Sequence, residues 1–96
     1  MSTVSIAHEQ HGASHEFVLT VDGERAGFLE YTPGDGVLRI EYVEVVPELR
    51  GSGLGRQLVE KAVAYARQMQ LHVVPICGYA RTVIERDPVL SAAVQR

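Results

Sequence analysis

The sequence predicts an α+β (α/β) fold: an antiparallel meander, a strand–helix–strand crossover that leaves a parallel pair, and a C-terminal helical segment. Three observations carry this expectation. Turn signals at Asp22-Gly23 and Pro33-Gly34-Asp35-Gly36 separate runs of alternating apolar residues, the pattern of consecutive antiparallel strands. Leu54, Leu58, Ala62, Tyr65, Ala66 and Met69 recur at spacings of three and four, forming one apolar stripe of an amphipathic helix. A short apolar run at 71–76 follows that helix, so its strand returns parallel to the strand before it, through a right-handed crossover.

Taken in order, residues 4–9 form a weak first strand. His8, His11 and His15 follow closely, around Gly12. No carboxylate or cysteine completes a convincing ligand set for a metal, and they read as solvated loop and edge-strand histidines. Residues 16–21 place Phe17, Leu19 and Val21 on one face of a strand. The return strand, 24–32, carries Phe28, Leu29 and Tyr31, and a third strand spans 37–46. The helix covers 53–70, with Arg56, Gln57, Glu60, Lys61, Arg67 and Gln68 largely off its apolar stripe. Glu60 and Lys61 do not pair, because adjacent helical residues point apart. After the strand at 71–76, which Pro75 helps to close, residues 77–85 form a second helix. Asp87 can then cap, and Pro88 open, a short closing helix to Val94. No repeat or second domain is visible, so residues 1–96 are expected to form one domain.

At 46% apolar and 22% charged residues, the composition is that of a small globular chain. A net charge of −3 argues against a dedicated nucleic-acid partner. The single cysteine, Cys77, excludes an internal disulfide framework and suits a reducing compartment. No apolar run approaches the roughly 20 residues of a membrane helix, and the first residues lack the pattern of a signal peptide. The expected location is cytoplasmic.

The most informative stretch is 43–58. Gly51, Gly53 and Gly55 alternate between a strand and a helix, where they let a ligand approach the backbone without a Cβ in the way. A helix starting there points unpaired N–H groups and its positive dipole end into the loop, which makes an anion site. A nucleoside-triphosphate loop would need a Gly-Lys pair, and none occurs. A dinucleotide fingerprint counted from Gly51 would need glycine at 56, which is Arg, and the acidic residue expected about 20 positions onward is missing. What remains is [R/Q]-x-x-G-x-[G/A], met by Arg50, Gly53 and Gly55.

With that loop after a meander and before a long helix, the chain resembles the GNAT superfamily of acyl-CoA-dependent N-acyltransferases. It is further similar to small stand-alone members that lack the two early helices covering the acceptor site. Their Pro-x-Cys-x-Tyr signature is met by Pro75-Ile76-Cys77-Gly78-Tyr79. Two departures stand out: their His-Pro pair is Asp87-Pro88 here, and their His-Thr-Glu-Val is Tyr42-Val43-Glu44-Val45. The likeness covers about residues 14–90.

The resemblance implies acetyl-CoA or coenzyme A as cofactor, its pantetheine lying between the splayed ends of strands 37–46 and 72–76. Backbone groups near Val43 and Val45 would pair with the pantetheine amides. The N–H groups of Gly51, Ser52, Gly53, Leu54, Gly55 and Arg56 would hold the pyrophosphate, with Arg50 or Arg56 adding charge. Transfer to an amine needs a base, oxyanion donors and an acid for the leaving thiolate. Glu44, near the strand end, suits the base, or simply occupies a solvated face. Tyr79 suits the acid, as a tyrosine of that helix does in GNAT enzymes, or packs in the core. Cys77 lies at a strand-to-helix junction, where thiolates are favoured; it could accept the acyl group, line the thiol pocket, or be an inert buried cysteine. His72 reads as a strand residue without chemistry.

Two functions follow from the resemblance: an N-acetyltransferase acting on an amine of a small molecule or peptide, and a CoA-binding module with little turnover. The partners expected are an acyl-CoA and an amine acceptor, without nucleic acid or membrane, the chain being a monomer or weak homodimer. An interaction domain using an exposed sheet edge is a third reading, which the glycine loop disfavours.

Overall fold

Asp22 and Gly23 both take positive φ, at 52° and 85°, as do Asp35 and Gly36, at 54° and 77°. Two-residue turns of this hand match the right-handed twist of the strands they join. In the computed structural model, which describes residues 2–94, they link Ser14–Val21 (β2), Glu24–Gly34 (β3) and Val37–Val45 (β4) into an antiparallel meander. The first strand, Val4–His11 (β1), is a full eight residues, longer than its pattern suggested, and pairs with β2 along its whole length. Gly12, with φ 62°, makes the turn between them. The final strand, His72–Pro75 (β5), lies parallel to β4, completing a sheet in the order β1-β2-β3-β4-β5.

Helix Leu54–Gln68 (α1) crosses one face of this sheet, packing on β2 through β5. Its Leu58, Val59, Ala62, Val63 and Ala66 meet Phe17, Leu19, Leu29, Tyr31, Leu38 and Ile40 in one core. The buried stripe therefore includes Val59 and Val63, which the sequence pattern omitted, and leaves out Met69, which is 52% exposed. The helix is also shorter than expected at both ends: Gly53 is its N-cap and Met69 its C-cap. Gly78–Glu85 (α2) and Pro88–Ser91 (α3) add Ala80, Ile84 and Leu90 to the same core. Asp87 caps α3 as expected, accepting from Val89 N at 2.9 Å and Leu90 N at 3.4 Å. That helix ends at Ser91 rather than continuing to Val94; Val73 N donates to Ala93 O instead, and Val94 bridges to Val73.

Two irregularities in β4 position the site. Tyr31 pairs with Ile40 while Glu30 pairs with Tyr42, so Glu41 is an extra residue, a bulge. Beyond it the alternation inverts: Val43 and Val45 turn toward the core, and Tyr42 and Glu44 turn outward. Pairing with β5 also stops here. The N–H groups of Ile76 and Cys77 both donate to Ile40 O, each at 3.0 Å, so the parallel ladder ends at Ile40–Pro75 and the two strands separate.

Candidate functional site

The separation opens a cleft of about 440 Å³. One wall is the bulged end of β4, with Tyr42, Val43, Glu44 and Val45; the floor is the loop with Leu49, Arg50, Gly51, Gly53 and Gly55; the far wall is Tyr79. Six of the nine residues expected to hold the cofactor line it: Val43, Val45, Arg50 and the three glycines. Leu49 and Tyr42 were not anticipated. The bulge at Glu41, which has no signature in the sequence, is what aims Tyr42 and Glu44.

Each glycine has its own physical reason. Gly51 and Gly53 take φ of 81° and 90°, conformations that strain any L side chain. Gly55 is helical, but a Cβ there would lie 2.6 Å from the Tyr79 hydroxyl, so the missing side chain lets the phenol rest on the first turn of α1. A 3-10 turn, Pro47–Leu49, leads into the loop. Ser52 stabilises it from within: its N–H and hydroxyl both donate to Leu49 O, and its Oγ accepts from Leu54 N at 3.3 Å. Those bonds remove the Ser52 and Leu54 N–H groups from a cradle expected to use every residue from 51 to 56. Among the described residues, the N–H groups of Gly51, Gly53, Gly55 and Arg56 have no acceptor, and they lie at the positive end of α1.

The two arginines part company. Arg50 lines the cleft and donates its Nε to Val45 O at 3.3 Å, which pins the loop to β4. Arg56 points to Glu60, at 3.2 Å, and to Asp87, at 2.5 Å. Asp87 thus caps α3 and ties it to α1. Tyr79 is 47% exposed, and desolvation raises its pKa above 10.0, against the lowering pull of Arg56 and with a further rise from Cys77. Its hydroxyl keeps its proton at neutral pH. Cys77 is a free thiol at the N-cap of α2, partly buried against the core and not one of the residues lining the cleft.

The histidines are strand residues rather than loop residues. His8 stacks on Phe17 with centroids 4.5 Å apart, meets Tyr65 edge-on at 4.5 Å, and shares a hydrogen bond between its Nε2 and the Tyr31 hydroxyl. His15 leans on Tyr31 at 5.3 Å. Strand pairing also brings Glu9, His11 and Glu16 within 4.8 Å of one another, a grouping the linear spacing concealed. Among the described residues, no helix is long and apolar enough to cross a membrane.

Comparison with known proteins bears on the family and the fold. The family model described as GCN5-related N-acetyl-transferase matches residues 16–93. A GNAT-family protein from Desulfovibrio desulfuricans is similar over 77% of this chain at 25% identity, with a TM-score of 0.65; the match spans 54% of that protein, so this chain corresponds to about half its length. A GCN5-like protein from Staphylococcus aureus superposes with a TM-score of 0.71 at 21% identity, over 93% of this chain and 87% of that one. A GNAT family acetyltransferase from Elizabethkingia anophelis, solved with acetyl-CoA bound, gives a TM-score of 0.70 at 13% identity, covering 86% and 72%. No curated protein matches. The family model accounts for most of the chain, and the chain belongs to the GCN5-related N-acetyltransferase family.

Proposed function

We propose that this chain is an acetyl-CoA-dependent N-acetyltransferase of the small Pro-x-Cys-x-Tyr type, one domain over 1–96, acting in the cytoplasm on an amine of a small molecule or peptide. The observation that carries the reading is the set of four N–H groups left without acceptors at the start of α1, opening into a cleft between separated parallel strands. Such a set fits a pyrophosphate, and the unpaired edge of β4 fits an extended amide chain such as pantetheine. The E. anophelis relative holds acetyl-CoA, which supports the same ligand here. Arg50, whose side chain is not committed to a carboxylate, supplies the positive charge beside the N–H groups.

Acetyl-CoA would supply an activated acetyl group as a thioester. Glu44, on the outward face of β4 at the cleft, binds the incoming ammonium and takes its proton. The amine nitrogen would form the new C–N bond and shed its second proton to solvent, while the C–S bond breaks and its electron pair goes to sulfur. Tyr79, a neutral phenol at the cleft, would give the sulfur its proton and take one back from solvent. Cys77 sets the start of the helix that carries Tyr79.

Thermal unfolding with acetyl-CoA, CoA, ATP and NAD tests the cofactor. A ligand at 100 times its dissociation constant stabilises the native state by about 2.7 kcal/mol, so CoA species raise the midpoint and NAD does not. Thiol release over a panel of amines then tests turnover. CoA binding with no amine-dependent release would leave a CoA-binding module instead.

A further inference from the structure

A second groove, of about 380 Å³, meets the cleft at Glu44 and Val45, which line both. It runs along the β3–β4 pair, where Phe28 and Glu44 stand side by side. Phe28 forms the floor, directly opposite Glu44 in the strand register. The Arg25 guanidinium lies 5.4 Å from the Phe28 ring centroid and lines the same groove as Glu44. Tyr42 stacks on Phe28 at 5.8 Å and extends the aromatic floor beside the cleft.

We propose that this groove binds the acceptor, and that the acceptor is an amino acid: a small zwitterion with an apolar or aromatic side chain. The inference rests on the acetyl-CoA reading above and goes further by naming the substrate class. An ammonium at Glu44 faces the cleft where the thioester would lie. A carboxylate on the same molecule reaches Arg25, and the side chain lies on Phe28. Arg25 keeps donors for this. Besides its place over Phe28, its polar contact among the described residues is Glu16, at a long 3.5 Å, which occupies one of the five N–H donors of a guanidinium. The same arginine disfavours the other obvious amines. A polyamine would bring a second ammonium against it, and a protein lysine or an unsubstituted amine would offer it no anion. At this volume the groove falls at the small end of ligand sites, roughly 300–1,000 Å³.

The test measures thiol release from acetyl-CoA with phenylalanine, phenethylamine and spermidine as acceptors, in the wild type, Arg25→Gln and Arg25→Lys. Phenylalanine should exceed phenethylamine in kcat/KM by about tenfold or more, the worth of a charged hydrogen-bonded pair. Arg25→Gln should remove that advantage through KM, raising KM for phenylalanine about tenfold more than for phenethylamine, and leave CoA affinity intact by calorimetry; Arg25→Lys should restore part of it. If CoA binds but phenethylamine or spermidine serves as well as phenylalanine, the proposal falls while the cofactor reading stands. If CoA does not bind, both fall. If no amine turns over, amide shifts in the CoA-loaded protein titrated with phenylalanine decide: changes at Arg25, Phe28 and Glu44 support the groove, and none overturns it.

Discussion

Gly27 and Gly55 make a matched pair of probes, because each would place a new Cβ against an oxygen at almost the same distance. At Gly27 the oxygen is the Glu44 carbonyl, 2.5 Å away, with Val45 Cα at 3.1 Å. At Gly55 it is the Tyr79 hydroxyl, 2.6 Å away. Neither glycine has a positive φ, so an alanine fits the backbone at both and only the space differs. Backbone in a central strand pair cannot yield locally, whereas a half-exposed tyrosine can swing aside. Overpacking costs about 1–3 kcal/mol, and the entropy gained from replacing glycine returns about 0.4–1. Gly27→Ala should therefore lose about 1–2 kcal/mol, lowering Tm by roughly 5–15 °C in a domain of this size. Gly55→Ala gains helix propensity, up to about 1 kcal/mol in a helix interior, and should unfold within a few degrees of the wild type. Its cost should appear elsewhere, as weaker CoA binding once the Tyr79 ring is displaced. Thermal melts and CoA calorimetry on both variants read the two effects separately. A Gly27→Ala protein as stable as the wild type, or equal Tm losses in both variants, would refute the steric reasoning.

Other expectations follow from the same geometry. Asp87→Ala removes the α3 cap and the Arg56 partner and should cost about 1 kcal/mol or slightly more in urea unfolding, while Asp87→Asn keeps capping ability and should lose about 0.5 or less. His8 has its pKa lowered below 6.5, first by desolvation and then by His15. The unfolded chain therefore binds that proton more readily, and stability should fall as pH drops through 6.5; Tm measured from pH 8 to 5 should flatten in His8→Gln. Gly53→Ala forces a side chain into φ 90° at the N-cap of α1 and should weaken both Tm and CoA affinity, by about 1 kcal/mol each. Cys77→Ala should keep amine-dependent thiol release, since the thiol packs against the core; loss of release with CoA binding intact would make it an acyl carrier.

The meander, the crossover and the loop were legible because each has a local cause. Asp22-Gly23 and Asp35-Gly36 accept positive φ at both turn positions, and Asp87-Pro88 carries its own cap. The register of β1 was less legible. Its residues 4–11 are mostly exposed and alternate poorly, so only pairing with β2 defines the strand. The stripe of α1 was legible at Leu54, Leu58, Ala62 and Ala66, which are buried, and at Tyr65, which packs against the core; Val59 and Val63 widen it because the sheet covers more than a narrow stripe, and Met69, at the C-cap, lies outside it. Arg50 and Arg56 looked equivalent as charges for the loop. Asp87, 31 residues away from Arg56, separates them.

By itself the amino-acid sequence determined the order of elements and the place of the anion loop, since turn glycines, capping residues and apolar periodicity act over a few positions. Tertiary structure decided the rest. The extra residue at Glu41 inverts β4 and aims Glu44, and the double donation to Ile40 O parts β4 from β5. The approach of Tyr79 to Gly55 closes the far wall. Each of these depends on which strand or helix arrives from a distant part of the chain, and neighbouring residues carry no trace of it.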